Sequence, residues 1–232
     1  MIVAVHQPNY LPWLGYFSKM ARCDVFVFLD DVQFSKNSYI NRVQIDGGGA
    51  ARWLTVPVSY RFGDAIRTVH CAEPGWTQAH LSTLQTFYSG APAYGEVRDW
   101  LGGVFAALDA ARGLGSANRA VVEAVARRLG LRCAFRSSSE FDVGSAVSDD
   151  RLISILSHFG RDVVYLSGKG GSGYQSAEKM ERAGIHLTYN EFDHPRYEQG
   201  HEFIPGLSIV DALFRIGFDR TAELVAGGSG RL

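Results

Sequence analysis

The first 42 residues constrain this chain more than any other stretch: MIVAVHQPNYLPWLGYFSKMARCDVFVFLDDVQFSKNSYINR. Two short apolar runs, Ile2–Val5 and Val25–Leu29, are β-branched or aromatic and bounded by polar residues, as buried strands are. Pro12 to Arg22 reads as a helix between them, with Pro12 suited to its first turn. Strand, polar loop, helix and strand predict a βαβ unit whose site lies at the carboxyl ends of its strands. The first strand ends on His6-Gln7-Pro8-Asn9-Tyr10 and the second on Asp30-Asp31, so polar and ring-bearing side chains converge on one edge.

Downstream, Tyr39–Ile45 and Arg52–Ser59 alternate around Asp46-Gly47-Gly48-Gly49, which predicts a hairpin beside the βαβ unit. Ala65–Cys71 is a further candidate strand. Lys36 and Arg42 lie between Asp31 and this hairpin and could reach the same pocket to meet a substrate phosphate or carboxylate, a solvated rim being the other reading. Trp76–Ser89, Tyr94–Ala111 and Ala117–Leu129 have helical spacing, with Ser116 as a candidate cap. Strands resume at Leu131–Arg136, Val163–Leu166 and His186–Glu191. The expected fold is α/β, a mixed sheet with helices on its faces. One domain over residues 1–232 carries an inserted helical segment at about 76–130.

Two later segments carry chemistry. After Val163–Leu166 comes Ser167-Gly168-Lys169-Gly170-Gly171-Ser172-Gly173-Tyr174. A glycine-rich turn between strand and helix has the geometry of a phosphate cradle, with Gly168 and Tyr174 as candidate contacts. It matches neither the P-loop nor the dinucleotide fingerprint, and a plain tight turn is the other reading. After the last strand comes Asp193-His194-Pro195-Arg196-Tyr197-Glu198-Gln199. The proline restricts the backbone of His194 and so the direction of its ring. Tyr197 and Gln199 add an aromatic wall and an amide.

The string His6-Gln7-Pro8-Asn9-Tyr10-Leu11-Pro12-Trp13-Leu14-Gly15-Tyr16-Phe17, with Leu29-Asp30-Asp31-Val32-Gln33-Phe34-Ser35-Lys36 and Asn41-Arg42, resembles the WbqC-like protein family. The resemblance continues through Trp53-Leu54-Thr55-Val56-Pro57-Val58, Tyr165-Leu166-Ser167-Gly168, His194-Pro195-Arg196-Tyr197-Glu198-Gln199 and Leu207-Ser208-Ile209-Val210-Asp211. That family is met in O-antigen and natural-product gene clusters. Membership implies a substrate drawn from sugar or natural-product assembly.

Composition narrows the classes. The formal net charge of −1 supplies no basic field for nucleic acid. Three cysteines at unpaired spacing argue for a reducing, cytoplasmic setting. No apolar run approaches the ~20 residues of a membrane span. Asp30-Asp31 is D-D rather than D-x-D, and adjacent residues of an extended chain point to opposite faces. No spacing supports zinc or iron, so no metal is expected.

The residues therefore suggest acid–base transfer without a covalent protein nucleophile. His194, with His6 as the other candidate, would be the base. Asp30 or Asp31 would orient it, and Gln7, Asn9 or a backbone N–H of that loop would hold an oxyanion. Asn9, Tyr10, Lys36, Arg42, Tyr197 and Gln199 would contact substrate. An acyl group would arrive as a thioester, on the phosphopantetheine of an acyl carrier protein or on coenzyme A, with no resident cofactor. The amine acceptor, such as an amino sugar, is what the family's setting implies. Two alternatives are a metal-dependent nucleotide-sugar glycosyltransferase built on Asp30 and Asp31, and a non-catalytic sugar-binding assembly protein.

Overall fold

The computed structural model describes residues 1–108, 113–171, 173 and 175–227. The strands are β1 (Ile2–His6), β2 (Val25–Phe28), β3 (Arg42–Asp46), β4 (Ala51–Thr55), β5 (Val58–Ser59), β6 (His70–Cys71), β7 (Ala134–Ser137), β8 (Val163–Gly168) and β9 (Ile185–Asn190). The helices are α1 (Leu14–Ala21), α2 (Trp76–Tyr88), α3 (Tyr94–Leu108), α4 (Leu114–Arg128), α5 (Ser148–Ser157), α6 (Ala177–Arg182) and α7 (Ile209–Gly227).

Five strands form one sheet in the order β7-β2-β1-β8-β9, and every pair in it is parallel. The α/β expectation holds, with one difference in how the strand types mix. The antiparallel pairs β3-β4 and β5-β6 form separate two-stranded sheets and do not extend the main one. Asp46 closes the β3-β4 hairpin by accepting the Gly48 and Gly49 N–H groups at 2.9 and 2.7 Å. In the segment expected as a strand at Ala65–Cys71, Ala65 makes a single bridge to Gln33, Ile66–Thr68 form a 3-10 turn, and His70–Cys71 pair with Val58–Ser59. Gly113, not Ser116, occupies the N-cap of α4, which begins at Leu114.

Strand parity assigns the two faces, because successive side chains of a strand point to opposite sides. Val3, Val5, Val25, Val27, Val163, Tyr165 and Ile185 face Ile155 and Leu156 of α5 and Met180 of α6. Ala4, Phe26, Phe28 and Leu166 face the larger core, to which α1, α2, α3, α4 and α7 contribute. The sheet is thus covered on both faces, as parallel sheets require. No helix among the described residues is long and apolar enough to cross a membrane.

The strand order reverses at β1. From β1 the chain crosses through α1 to β2 on one side, whereas β8 lies on the other and continues through α6 to β9. Such a switch point opens a crevice at the carboxyl edge of the sheet. Here β1 and β8 pair only at Ile2↔Val164 and Val3↔Tyr165, although β1 runs on to His6 and β8 to Gly168. Beyond Val3 the two strand ends form the walls of that crevice.

Candidate active site at the strand switch point

A cavity of about 640 Å³ occupies this crevice, within the range of small-molecule sites. Val5, His6 and Gln7 at the end of β1 form one wall; Tyr165, Ser167 and Gly168 at the end of β8 form the other. Trp13 and Lys19 enter from α1, Arg151 from α5, and Asn190, Phe192 and His194 from β9 and the segment after it. His6 and His194, 188 positions apart in the chain numbering of 232, thus share one cavity.

His6 has the parity of Ala4 and leans toward α1. Its ring meets Tyr16 edge-on at 4.7 Å and Trp13 at 6.2 Å. Its Nδ1 lies 3.1 Å from the Gln7 carbonyl, which also accepts the Tyr16 hydroxyl at 2.9 Å. A carbonyl only accepts, so Nδ1 carries the proton and Nε2 keeps its lone pair. Burial, reinforced by the charge of Lys19, lowers the His6 pKa from 6.5 to about 3, and His6 is neutral at pH 7. His194 is half-buried, which also lowers its pKa, against an opposing pull from Asp193.

The β9 end reaches this cavity because Gly15 admits it. A Cβ at Gly15 would stand 2.8 Å from Phe192 Cδ1 and 2.9 Å from Trp13 Nε1. Phe192 therefore packs directly on α1, and the His194 ring meets it edge-on at 5.3 Å. Asn190 ties the same junction, accepting from Arg22 at 2.8 Å. Across the cavity, Gly171 ends a 3-10 turn against Ser167 and Gln175; a Cβ there would come within 2.7 Å of the Ser167 hydroxyl. Ser167 donates to Gln175 at 2.8 Å, and Gln175 donates to Tyr165 at 3.2 Å.

Of the residues expected in the site, His6, Gln7, His194 and Gly168 line this cavity. The others stand elsewhere. Asp30 and Asp31 orient neither histidine. Asp30 accepts the Ser139 N–H at 3.0 Å and the Ser139 hydroxyl at 2.9 Å, and Ser138 donates to it at 3.1 Å. Asp31 accepts from Ser138 and forms an ion pair with Arg151. The serine run after β7 thus binds the chain's own acidic pair. Asn9 is buried away from the cavity, and Tyr10 is a core residue whose hydroxyl meets His80 Nδ1 at 2.7 Å.

Lys36 is exposed outside the cavity, and Arg42 stacks on Trp53 at 4.0 Å. Tyr197 and Gln199 hold Asp211, donating to it at 2.6 and 3.1 Å. These two residues brace α7 and do not form an aromatic wall for the site. Tyr174 lies outside the described residues.

The largest omission from the sequence reading is Lys19. A lysine in the middle of a helix ordinarily carries its head to water. Lys19 instead is 2% exposed, and its Nζ donates to the Val5 carbonyl at 3.2 Å. Burial lowers its pKa from 10.5 to about 7, with Cys23 opposing. The available signal was its spacing from Tyr16, three residues earlier on the face that meets β1. Ser167, Lys169 and Arg151 were also missed as lining residues.

A model of the WbqC-like protein family matches residues 7–223. The chain belongs to the WbqC-like protein family. A relative, the uncharacterized protein Rv1507c of Mycobacterium tuberculosis (strain ATCC 25618 / H37Rv), is 31% identical over 219 residues, covering 93% of this chain and 94% of its own. No solved structure matches this WbqC-like chain. The matched span takes in His194 and begins at Gln7, one position after His6.

Proposed function

We propose that the chain forms amide bonds, transferring an acyl or aminoacyl group from a thioester to an amine. The donor would be the phosphopantetheine thioester of a carrier protein or of coenzyme A, and the acceptor an amine such as an amino sugar. The observation that supports this reading is that His6 and His194 line one cavity with lowered pKa values, so both are unprotonated near neutral pH.

The two imidazoles take different roles. A general base works best with a pKa near the operating pH. His6, at about 3, is too weak for that and serves as a fixed acceptor through Nε2 for an amine N–H. His194 is the base. The amine nitrogen attacks the thioester carbon and a C–N bond forms. His194 takes the proton lost by nitrogen and returns it to the departing thiolate as the C–S bond breaks. The Gln7 side-chain amide, on the cavity wall, supplies a donor to the oxyanion; one such donor is worth ~3 kcal/mol.

The test is incubation of the purified protein with acyl-loaded carrier protein and a panel of amino sugars and amino acids, with EDTA present, followed by mass spectrometry of amide products. Product is expected with the wild type and lost, by about a hundredfold or more, in His194→Ala. Turnover of nucleotide sugars that requires Mg²⁺ or Mn²⁺, with no amide from any donor, would overturn the reading. Ligand binding that survives without any turnover would instead mark a binding protein.

A further inference from the structure

We infer that the switch-point cavity binds its substrate through an anionic group, a carboxylate or a phosphate, that pairs with Lys19. The inference deepens the function proposed above by naming a chemical property of one of its substrates, and it rests on that reading only for which substrate this is.

Lys19 is 2% exposed, yet it lines the cavity. Of its three ammonium protons, one is taken by the Val5 carbonyl at 3.2 Å, and the Phe26 ring lies 5.5 Å away. Among the described residues no carboxylate comes within ion-pair distance of it. Other enclosed cations of this chain are answered from within: Arg151 by Asp31, Arg215 by Asp46, Arg119 by Glu123. A buried charge without a counter-ion is costly, and natural cores keep one where something completes it. Here the completing group would come from the cavity that Lys19 lines.

The surroundings favour an anion there. Lys169 lines the same space, as does Arg151, whose charge Asp31 already answers. The acidic residue of the lining, Asp149, is occupied by the Ser176 N–H at 3.0 Å. Burial lowers the Lys19 pKa, and an opposite charge beside the ammonium would raise it again. The cations expected from sequence to take this role, Lys36 and Arg42, lie outside the cavity, so the role falls to Lys19.

The test needs no turnover. Inorganic phosphate and, separately, acetate are titrated into the wild type and Lys19→Met at low ionic strength and pH 6.5, with heat of binding as the readout. At least one anion is expected to bind the wild type, and Lys19→Met to bind it about tenfold or more weakly. Phosphate alone binding assigns a phosphorylated group; acetate alone assigns a carboxylate.

A second measurement covers a variant that fails to fold. Wild-type Lys19 is acetylated with a limiting pulse of acetic anhydride, and the extent is read by peptide mass spectrometry. Saturating anion should protect Lys19 severalfold while leaving exposed Lys36 unchanged. Absence of binding by both anions, equal binding by Lys19→Met, or absence of protection would overturn the pairing. A protein that binds the anion but makes no amide keeps the pairing and loses only the transfer reaction.

Discussion

At the scale of single residues, the site is governed by desolvation. His6 stands at the end of a strand with its Nδ1 proton directed at the Gln7 carbonyl and its ring against Tyr16. The sign of its effect on stability follows from the lowered pKa. Above about pH 6.5 the ring is neutral in both folded and unfolded chains, so it adds no dependence on pH. As pH falls below 6.5 the unfolded chain takes the proton while the folded chain, with a pKa of about 3, does not. Stability is therefore lost progressively through that window, by roughly 2 kcal/mol between pH 6.5 and pH 5 at about 1.4 kcal/mol per unit. Urea unfolding at pH 7 and at pH 5 should show the loss in the wild type and a smaller loss in His6→Gln. Identical losses in the two proteins would mean that His6 is not held neutral by burial.

At the scale of elements, α1 is the organiser. One face carries Leu14, Phe17 and Met20 into the larger core, while Trp13, Gly15, Tyr16 and Lys19 address the ends of β1 and β9. Gly15 is where two effects compete. In an exposed helix, alanine is favoured over glycine by about 1 kcal/mol. In α1 the added methyl would collide with Phe192 and Trp13 at under 3 Å, and overpacking costs roughly 1–3 kcal/mol. Gly15→Ala is thus expected to destabilise the protein in denaturant titrations and to shift the His194 ring resonances, because Phe192 sets the ring's position. A stabilised variant with an unchanged His194 spectrum would show that Phe192 repacks freely. The segment after His194 is held from the other side by Asp211 of α7, fully buried, which accepts from Tyr88, Tyr197 and Gln199.

At the scale of the whole molecule, one sheet joins two cores. Val3, Val5, Val25 and Val27 face the smaller core, and Ala4, Phe26 and Phe28, from the same two strands, face the larger. Damage to one face should therefore loosen the other. Ile155 is fully buried in the smaller core, which contains none of the four tryptophans. Ile155→Ala removes about 2–5 kcal/mol, which lowers the melting temperature by roughly 5–15 °C in a chain of this size. Tryptophan fluorescence should report that full shift although no tryptophan lies beside Ile155. A tryptophan transition unmoved by the substitution would mean that the two faces unfold separately.

The sequence by itself determined the elements and the edge on which the site lies. Short β-branched runs, the helix at Pro12 to Arg22 and the polar residues that end β1 are local signals, and local signals survive folding unchanged. They were enough to place His6, Gln7, Gly168 and His194 at strand ends. Only the tertiary structure decided which of these residues meet and what each one faces. The order β7-β2-β1-β8-β9 brings the end of β8, and through β9 the His194 segment, to His6. Spacing along the chain holds no record of that order. Burial is likewise a property of the folded whole: it draws Lys19 into the cavity, sends Tyr10 into the core, and gives Asp30 and Asp31 to Ser138, Ser139 and Arg151. A side chain's type is written in the sequence, but its charge state and its partners depend on the dielectric and the neighbours that only packing supplies.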